Sequence, residues 1–455
     1  MAQHRAPILC VDVGSTWTKA ALVAADGSFR TAQRPTDAGR TDVALTLDRL
    51  RTDLDAPDAP WRACSSAGGG LRIAVVGFER EVTARAGSLV ALSAGGSVVH
   101  VASGALDTDP EALAALAEAR PDVLLLVGGT DGGNAAVLLR NAAALAGAEP
   151  LREVPVVVAG NREAAPTAAA TLAAGGRTVT RVENVLPAIG TIEPAAARSA
   201  IRAAFLDHVI GGKHLTADPA VLAGVIGPTP DLVLTGVEVL ARVAGCDVLV
   251  VDVGGATTDV YSVITPAGED AEHVGDVVAP LWQARTVEAD LGMRWSAATT
   301  LEAARREGLA VPDDLAAHAR AAADHPSWVP TTDAAWALDL ALGGLAARVA
   351  VRRHARPSVP GAQPRPLSEV GLLVGSGGVL RAEVARAGGS RSAVIDAVLA
   401  PVLADRAGSW VLPHAARPVV DGRYVLAAAG MLERDHPDRA AALVRDVLGG
   451  VAQPV

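Results

Sequence analysis

Short runs of β-branched residues and leucine alternate along the chain with alanine-rich stretches of helical periodicity. An apolar run that ends in a glycine-rich turn is typical of a buried strand, and apolar positions three to four residues apart are typical of a helix. Strands are predicted at 8–13, 73–76, 123–127, 154–159, 248–253 and 370–374. Helices are predicted at 110–118, 135–146, 194–209, 333–353 and 392–405. This alternation predicts an α/β fold with partly parallel sheets.

One strand-to-turn unit occurs twice. Residues 8–19 read ILCVDVGSTWTK, and residues 249–259 read LVVDVGGATTD. Each is an apolar strand followed by Asp-Val-Gly and then by small and hydroxyl-bearing residues. The echo predicts two related α/β domains that face each other, spanning 1–244 and 245–455, with the last helix returning to the first.

The first turn carries groups suited to a phosphate. A buried Asp12 at the end of an apolar strand is costly unless it is paired or serves a cation. Gly14 allows a tight turn. Ser15 and Thr16 offer hydroxyls and successive backbone amides that can form an anion cradle. Lys19 adds a mobile positive charge.

The second turn repeats this logic, with a carboxylate on each side of the glycines. Its candidate residues are Asp252, Gly254, Gly255, Ala256, Thr257 and Asp259. A plain β-hairpin is the alternative for one such turn. Two copies, each after a buried strand, favour the phosphate interpretation.

A third glycine-rich turn follows the strand near residue 374, in the segment GLLVGSGGVL. Backbone at Gly375, Ser376, Gly377 and Gly378 could lie flat against a base and ribose. No Walker A sequence is present, and no complete GxGxxG follows a strand, so a Rossmann dinucleotide site is unsupported.

In this order the three elements resemble the actin, Hsp70 and sugar kinase superfamily. The resemblance implies two actin-like, ribonuclease H-like domains around a nucleotide-binding cleft, with ATP or ADP and Mg²⁺ as cofactors. Asp12 and Asp252 would hold the metal, and Lys19 and the turn amides would neutralise phosphate charge. The water-orienting residue is left open among Asp259, Asp131 and Thr257.

Longer motifs narrow the resemblance. They are CSSAGGGLRIAVVG at 64–77, LLLVGGTDGGN at 124–134, the segment 182–215 and RTVEADLGMRWSA at 285–297. These are similar to the glutamate mutase L family, the MutL or GlmL-type proteins that are unrelated to mismatch-repair MutL. The resemblance implies an ATP-driven, chaperone-like or reactivating factor whose partners are the subunits of an adenosylcobalamin-dependent glutamate mutase or related mutase. A homodimer is left open.

Other interpretations remain at several points. A small-molecule kinase of the same fold, or a non-catalytic nucleotide-binding scaffold, would carry the same phosphate motifs. The 128–134 loop is either a helix-start turn, with Asp131 or Asn134 as the cap, or part of the cleft. Trp295 is predicted to be a core residue, with a partner surface as the alternative.

The amino-acid composition argues against several kinds of binding site and against a membrane span. The formal charge of −10 and the 3% aromatic content argue against nucleic-acid binding. Cys10, Cys64 and Cys246 form no CxxC pair, which leaves zinc and iron–sulfur sites unsupported and indicates a reducing, cytoplasmic setting. No apolar run approaches about 20 residues, so no membrane span is predicted.

Overall fold

The structure is a computed structural model that describes residues 6–14, 17–36, 43–66, 71–80, 82–210, 223–265, 283–356, 364–406 and 411–449. Ser15 and Thr16, predicted phosphate ligands, lie outside the described residues. The described strands form three five-stranded sheets.

Sheet 1 is built around the first repeated unit. Its strands are β1 (Ile8–Val13), β2 (Trp17–Val23), β3 (Phe29–Pro35), β4 (Trp61–Ser65) and β10 (Val225–Pro228). They lie in the order β10–β4–β1–β2–β3. The strands β1, β2 and β3 form an antiparallel meander, and β4 and β10 run parallel to β1.

Sheet 3 has the same topology around the second unit. Its strands are β11 (Val248–Val253), β12 (Thr258–Val263), β13 (Gln283–Glu288), β14 (Leu372–Gly377) and β15 (Arg417–Val420). Their order, β13–β12–β11–β14–β15, again joins an antiparallel meander to two parallel strands. The prediction of an α/β fold with two actin-like halves is confirmed. The domain boundary predicted at residue 244 coincides with the end of a helix and stays a prediction.

Sheet 2 lies in the chain between β4 and β10. Its strands are β5 (Leu71–Gly77), β6 (Gly96–Ser103), β7 (Val123–Leu126), β8 (Val156–Val158) and β9 (Val179–Arg181). All of its pairings are parallel, in the order β6–β5–β7–β8–β9. It is therefore a doubly wound sheet inserted into the half that contains sheet 1.

Helices cover the faces of these sheets. They are α1 (Val43–Asp53), α2 (Thr83–Ser93), α3 (Pro110–Glu118), α4 (Ala136–Ala146), α5 (Ala165–Ala174), α6 (Ala195–Ala204), α7 (Thr229–Ala244), α8 (Ala297–Arg306), α9 (Asp313–Asp324), α10 (Asp333–Ala355), α11 (Gly378–Ala385), α12 (Arg391–Val394), α13 (Ala400–Leu403), α14 (Leu426–Leu432) and α15 (Pro437–Leu448). Single π-helical turns follow α6 at Phe205–Ile210 and α12 at Ile395–Leu399.

The core between sheets 1 and 3 determines where the carboxylates point. The helices α7, α14 and α15 fill this core, and α14 also contacts β1 and β4. The first and third residues of β1 and of β11 face it. Because side chains alternate along a strand, the fifth residues, Asp12 and Asp252, lie on the same inner faces. Both carboxylates therefore project into the space between the two sheets.

One helix is long and apolar enough to be tested as a membrane span. Helix α10 has 23 residues, but 61% of its apolar window is buried inside the protein. Its fully buried Asp339 binds Arg294 and His318. These contacts are those of a core helix.

Candidate functional site

The first hairpin holds a buried carboxylate next to a lysine. Asp12 is only 4% exposed, and its Oδ2 lies 3.3 Å from Nζ of Lys19, its cross-strand partner. Its Oδ1 accepts hydrogen bonds from the hydroxyl of Thr229, at the start of α7, and from the thiol of Cys64. The amide of Gly14 donates to the carbonyl of residue 17, and a Cβ at Gly14 would lie 2.7 Å from that oxygen. Glycine is therefore needed to close the turn.

The turn of the second hairpin has backbone N–H groups that are not used in hydrogen bonds within the described residues. The amide of Gly254 donates to the carbonyl of Thr257 at 2.9 Å, as in the first hairpin. The segment 293–296 donates to the carbonyls of Gly254, Gly255 and Ala256. Among the described residues, the amides of Gly255, Ala256 and Thr257 have no hydrogen-bond partner. Three adjacent free amides with their carbonyls occupied are an arrangement that binds anions.

Asp259 is held by Arg285, which opens the 285–297 motif but has no role predicted from the sequence. It lies opposite Asp252 in the register of the hairpin, the position that Lys19 has in the first hairpin. Nε and Nη2 of Arg285, on β13, donate to Asp259 Oδ1 at 2.9 and 2.5 Å. The Thr257 hydroxyl donates to the other carboxylate oxygen at 3.3 Å. Asp259 is thus fixed by a nearly buried ion pair.

The two hairpins share one electrostatic site. Nζ of Lys19 lies 3.5 Å from the ring centroid of Tyr424, and the Tyr424 hydroxyl donates to Asp252 Oδ2 at 3.2 Å. Desolvation raises the pKa of Asp252 to about 6. The Lys19 ammonium opposes this rise, whereas the charges of Asp259 and Asp12 add to it. Residues of both hairpins therefore influence one another directly.

A cavity of about 390 Å³ adjoins this site. It lies between β2 and β3 of sheet 1 and the helices α11 and α14. Its charged lining residues are four cations, Lys19, Arg381, Arg391 and Arg423, and one carboxylate, Asp12. The excess of positive charge suits an anionic ligand.

The residues of the third glycine turn differ in how closely other atoms surround them. A Cβ at Gly375 would meet leucine side chains, and Ser376 is buried. Gly377 has φ +113°, and its Cβ would lie 2.2 Å from the carbonyl of Val253. Only Gly378 faces open space within 4 Å. None of the four lines the cavity, but the helix that Gly378 begins carries Arg381 into it.

The donor set fits Mg²⁺. Asp12 and Asp252 are two carboxylates in one electrostatic site, and the described residues contain no group of three or more His, Cys, Asp or Glu able to hold a metal. Mg²⁺ binds with one or two carboxylates, several waters and substrate phosphates. Burial raises the pKa of Asp252 because desolvation disfavours the charged carboxylate, and a bound cation would favour that charged form.

The 128–134 loop lies at the carboxyl edge of sheet 2 and is held by hydrogen bonds to neighbouring segments. The side-chain amides of Asn161 and Asn184 donate to the carbonyls of Thr130 and Gly129. Asp131 accepts from Asn184 and from the amide of residue 162. The Asn134 side chain accepts from the amide of residue 136, at the start of α4. These contacts support the helix-start interpretation, but the N-cap residue of α4 is Ala135 and not Asp131 or Asn134.

The core placement predicted for Trp295 is wrong. Its side chain is 65% exposed. The amide of the preceding residue, Arg294, donates to the carbonyl of Gly255. Trp295 therefore lies next to the second hairpin, and its indole ring faces outward.

Sequence reasoning missed Thr229, Tyr424 and Arg381. Among the described residues, the Arg381 guanidinium makes no hydrogen bond or ion pair and lies 5.6 Å from the Tyr424 ring. Tyr424 lies in an Asp-Gly-Arg-Tyr turn with φ +58°. That turn-forming segment before a helix is the one local signal that could have drawn attention to it.

Together, fold and site define a class: an α/β protein with two equivalent sheets, each opening on a hairpin whose first strand ends in Asp-Val-Gly. Residues 8–448 match the family described as MutL protein. The chain is 31% identical over 476 residues to Protein MutL of Clostridium tetanomorphum, covering 97% of this chain and 98% of that protein. The chain belongs to the MutL protein family, which confirms the resemblance drawn from the motifs.

Solved structures with a similar arrangement are much more distant. Component A of (R)-2-hydroxyglutaryl-CoA dehydratase from Acidaminococcus fermentans is 9% identical, with 97% of this chain and 99% of that chain covered and a TM-score of 0.28. A ROK family glucokinase from Streptomyces griseus, in complex with glucose and AMPPNP, is 10% identical, with 97% and 99% covered and a TM-score of 0.33. Likenesses this weak say nothing about activity.

Proposed function

We propose that this protein binds ATP with Mg²⁺ between its two hairpins, hydrolyses it, and acts as a chaperone-like reactivating factor for an adenosylcobalamin-dependent glutamate mutase or a related mutase. The observation that carries the nucleotide site is the set of free amides at Gly255, Ala256 and Thr257, on the hairpin whose Asp252 is linked to Lys19 through Tyr424. Free amides and ammonium groups are the donors that polyphosphates need.

Each residue has a separate role in this proposal. Asp12 and Asp252 hold Mg²⁺, which supplies charge neutralisation at the phosphate oxygens when bound. Lys19 and the free amides of the second hairpin stabilise negative charge on the transferring phosphoryl group. The two hydrogen bonds from Arg285 to Oδ1 hold the Asp259 carboxylate in place beside Thr257. Asp259 would position the attacking water.

The chaperone-like part of the proposal depends on the helices between the sheets. The helices α7 and α14 pack against each other and follow equivalent strands, β10 and β15. A ligand held by both hairpins would favour one angle between the sheets, provided that it binds the two arrangements with different affinity. The family membership supports a mutase subunit as the partner.

Phosphate release from MgATP by the purified chain, without any added acceptor, tests the chemistry. We expect slow turnover that falls roughly 100-fold in Asp12→Asn and in Asp252→Asn, because each change removes a metal-directed charge. Asp107→Asn, which breaks an exposed ion pair with Arg140, is the matched control and should turn over at the wild-type rate. Nucleotide binding without phosphate release would favour the kinase or the scaffold.

A capture experiment tests the partner. The tagged chain, loaded with MgADP or with a non-hydrolysable ATP analogue, is mixed with purified adenosylcobalamin-dependent glutamate mutase. We expect the retained amount of mutase to differ between the two nucleotides. Equal retention, or none with either nucleotide, would contradict the reactivating role and leave the hydrolysis result unaffected.

A further inference from the structure

Tyr424 joins the two hairpins through a single side chain. Its ring lies under the Lys19 ammonium, 3.5 Å from Nζ to the centroid, and its hydroxyl donates to Asp252 at 3.2 Å. Lys19 belongs to sheet 1, Asp252 belongs to sheet 3, and Tyr424 lies in the turn that leads into α14. The tyrosine is therefore bound at the same time to the lysine of one hairpin and the carboxylate of the other.

The backbone at Tyr424 is strained. Its φ of +58° is in the left-handed region, which bulky side chains seldom occupy. The turn is stabilised in this conformation because both oxygens of the buried Asp421 accept from the amide of Val425, at 3.1 and 3.0 Å. Strain of this kind persists where the surrounding structure enforces it, and it clusters at ligand clamps and switch regions.

The groups that Tyr424 engages are those that the proposed nucleotide site requires. An ammonium over an aromatic face is held by the electrostatic attraction of the ring. A carboxylate that accepts a phenolic hydrogen bond is partly neutralised toward other cations. A polyphosphate must compete for Lys19, and a divalent cation must compete for Asp252.

We propose that Tyr424 gates nucleotide binding: MgATP or MgADP binds only when the tyrosine releases Lys19 and Asp252, an inference that rests on the proposed function. The apparent affinity for nucleotide is then lowered by the fraction of molecules in which the tyrosine is engaged. Tyr424 is a positioning residue in this account.

Tyr424 lies next to the helices between the two sheets, so its release from Lys19 and Asp252 would affect their packing. Helix α14 begins two residues later, and all seven of its residues are buried. It packs against α7, whose first residue, Thr229, holds Asp12. Movement of Tyr424 would therefore displace α14 and, through it, α7, the helix pair that lies between the two sheets.

Calorimetric titration of MgADP into the wild type, Tyr424→Phe and Tyr424→Leu tests the gate. Tyr424→Phe keeps the ring over Lys19 and loses the hydrogen bond to Asp252, so Kd should fall about 3-fold. Tyr424→Leu loses both contacts, and Kd should fall by roughly 10-fold. A purely structural tyrosine would give the opposite sign, because a disturbed site binds more weakly.

A matched control removes the same kind of contact elsewhere. Arg51 lies over the ring of Trp61 at 5.8 Å, outside the cavity, and Trp61→Leu removes that pair without touching Lys19, Asp252 or the cavity lining. Its Kd for MgADP should equal that of the wild type. Circular dichroism confirms that each variant is folded, and the conservative Phe variant tests the gate even where the Leu variant is unstable.

The outcomes separate the two proposals. If the wild type binds no MgADP, the nucleotide site itself is refuted, and the gate with it. If the wild type binds MgADP and the Tyr424 variants bind equally or more weakly, the gate alone is refuted. Tighter binding in both variants, ordered Leu above Phe, is the result that supports it.

Discussion

Replacing Gly377 by alanine should disturb the pairing of β14 with β11 in sheet 3, where Gly377 lies opposite Val253. The new methyl group would lie 2.2 Å from the carbonyl oxygen of Val253, and real contacts of this kind do not fall below 3.0 Å. The two strands must therefore separate locally by about 0.8 Å, and alanine must also adopt φ +113°. Overpacking and left-handed strain together cost roughly 2–4 kcal/mol of unfolding free energy. Because Val253 follows Asp252, we also expect ATP turnover to fall about 100-fold.

Gly378→Ala is the matched control, since a Cβ there meets nothing within 4 Å and alanine suits the first turn of a helix. Thermal unfolding monitored by circular dichroism should show a melting temperature about 2–4 °C lower for Gly377→Ala and an unchanged one for Gly378→Ala. If Gly378 lies against a bound nucleotide, its variant weakens nucleotide binding without losing stability. Equal melting temperatures for Gly377→Ala and the wild type would refute the close-approach reasoning.

Three further predictions concern charge. Lys19→Ala should lower kcat about 100-fold and change Kd for MgADP far less, since its charge matters most in the transition state; an equal change in both would contradict this role. Asp231→Asn leaves two arginines of α6 without their fully buried partner and should cost about 3 kcal/mol in chemical denaturation, whereas Asp53→Asn, at an exposed pair, should have no effect. Burial holds the pKa of His354 well below its usual range, so it is neutral in the folded protein and gains a proton on unfolding below about pH 6.5. Stability should therefore fall from pH 7 to pH 5 by about 2 kcal/mol more in the wild type than in His354→Gln, and parallel pH profiles would refute the assignment.

Much of the scaffold of the site follows from local sequence. The bounds of β1 and β11 match the predicted strands, because each is an unbroken apolar run closed by Asp-Val-Gly. Strand alternation then places Asp12 and Asp252 on inner faces. The turn glycines Gly14 and Gly254 are explained by the same close approach to a carbonyl three residues later.

The residues that complete the site could not be predicted in this way. Thr229 and Tyr424 reach the carboxylates from helix starts that are distant in the chain. Arg285 lies 26 residues from Asp259 along the chain and reaches it through strand pairing. Such contacts depend on tertiary packing, and no local pattern of residues encodes them.

The sequence also left the place of sheet 2 open. Its strands are short apolar runs like those of sheets 1 and 3, and parallel pairing carries no signal that separates one sheet from another. The prediction that Trp295 is a core residue was wrong for a related reason. Large apolar residues are buried on average, but here the backbone of the 293–296 segment is bonded to the second hairpin and the indole points outward.

Hydrogen exchange can show whether the second hairpin binds phosphate. Exchange of the amides of Gly255, Ala256 and Thr257 is measured with and without a saturating, non-hydrolysable MgATP analogue, in the wild type and in Asp252→Asn. We expect the analogue to slow exchange at these three amides in the wild type, because phosphate oxygens become their acceptors, and to slow it much less in the variant. Saturating binding of the analogue that leaves exchange at these amides unchanged would contradict a phosphate site at this hairpin.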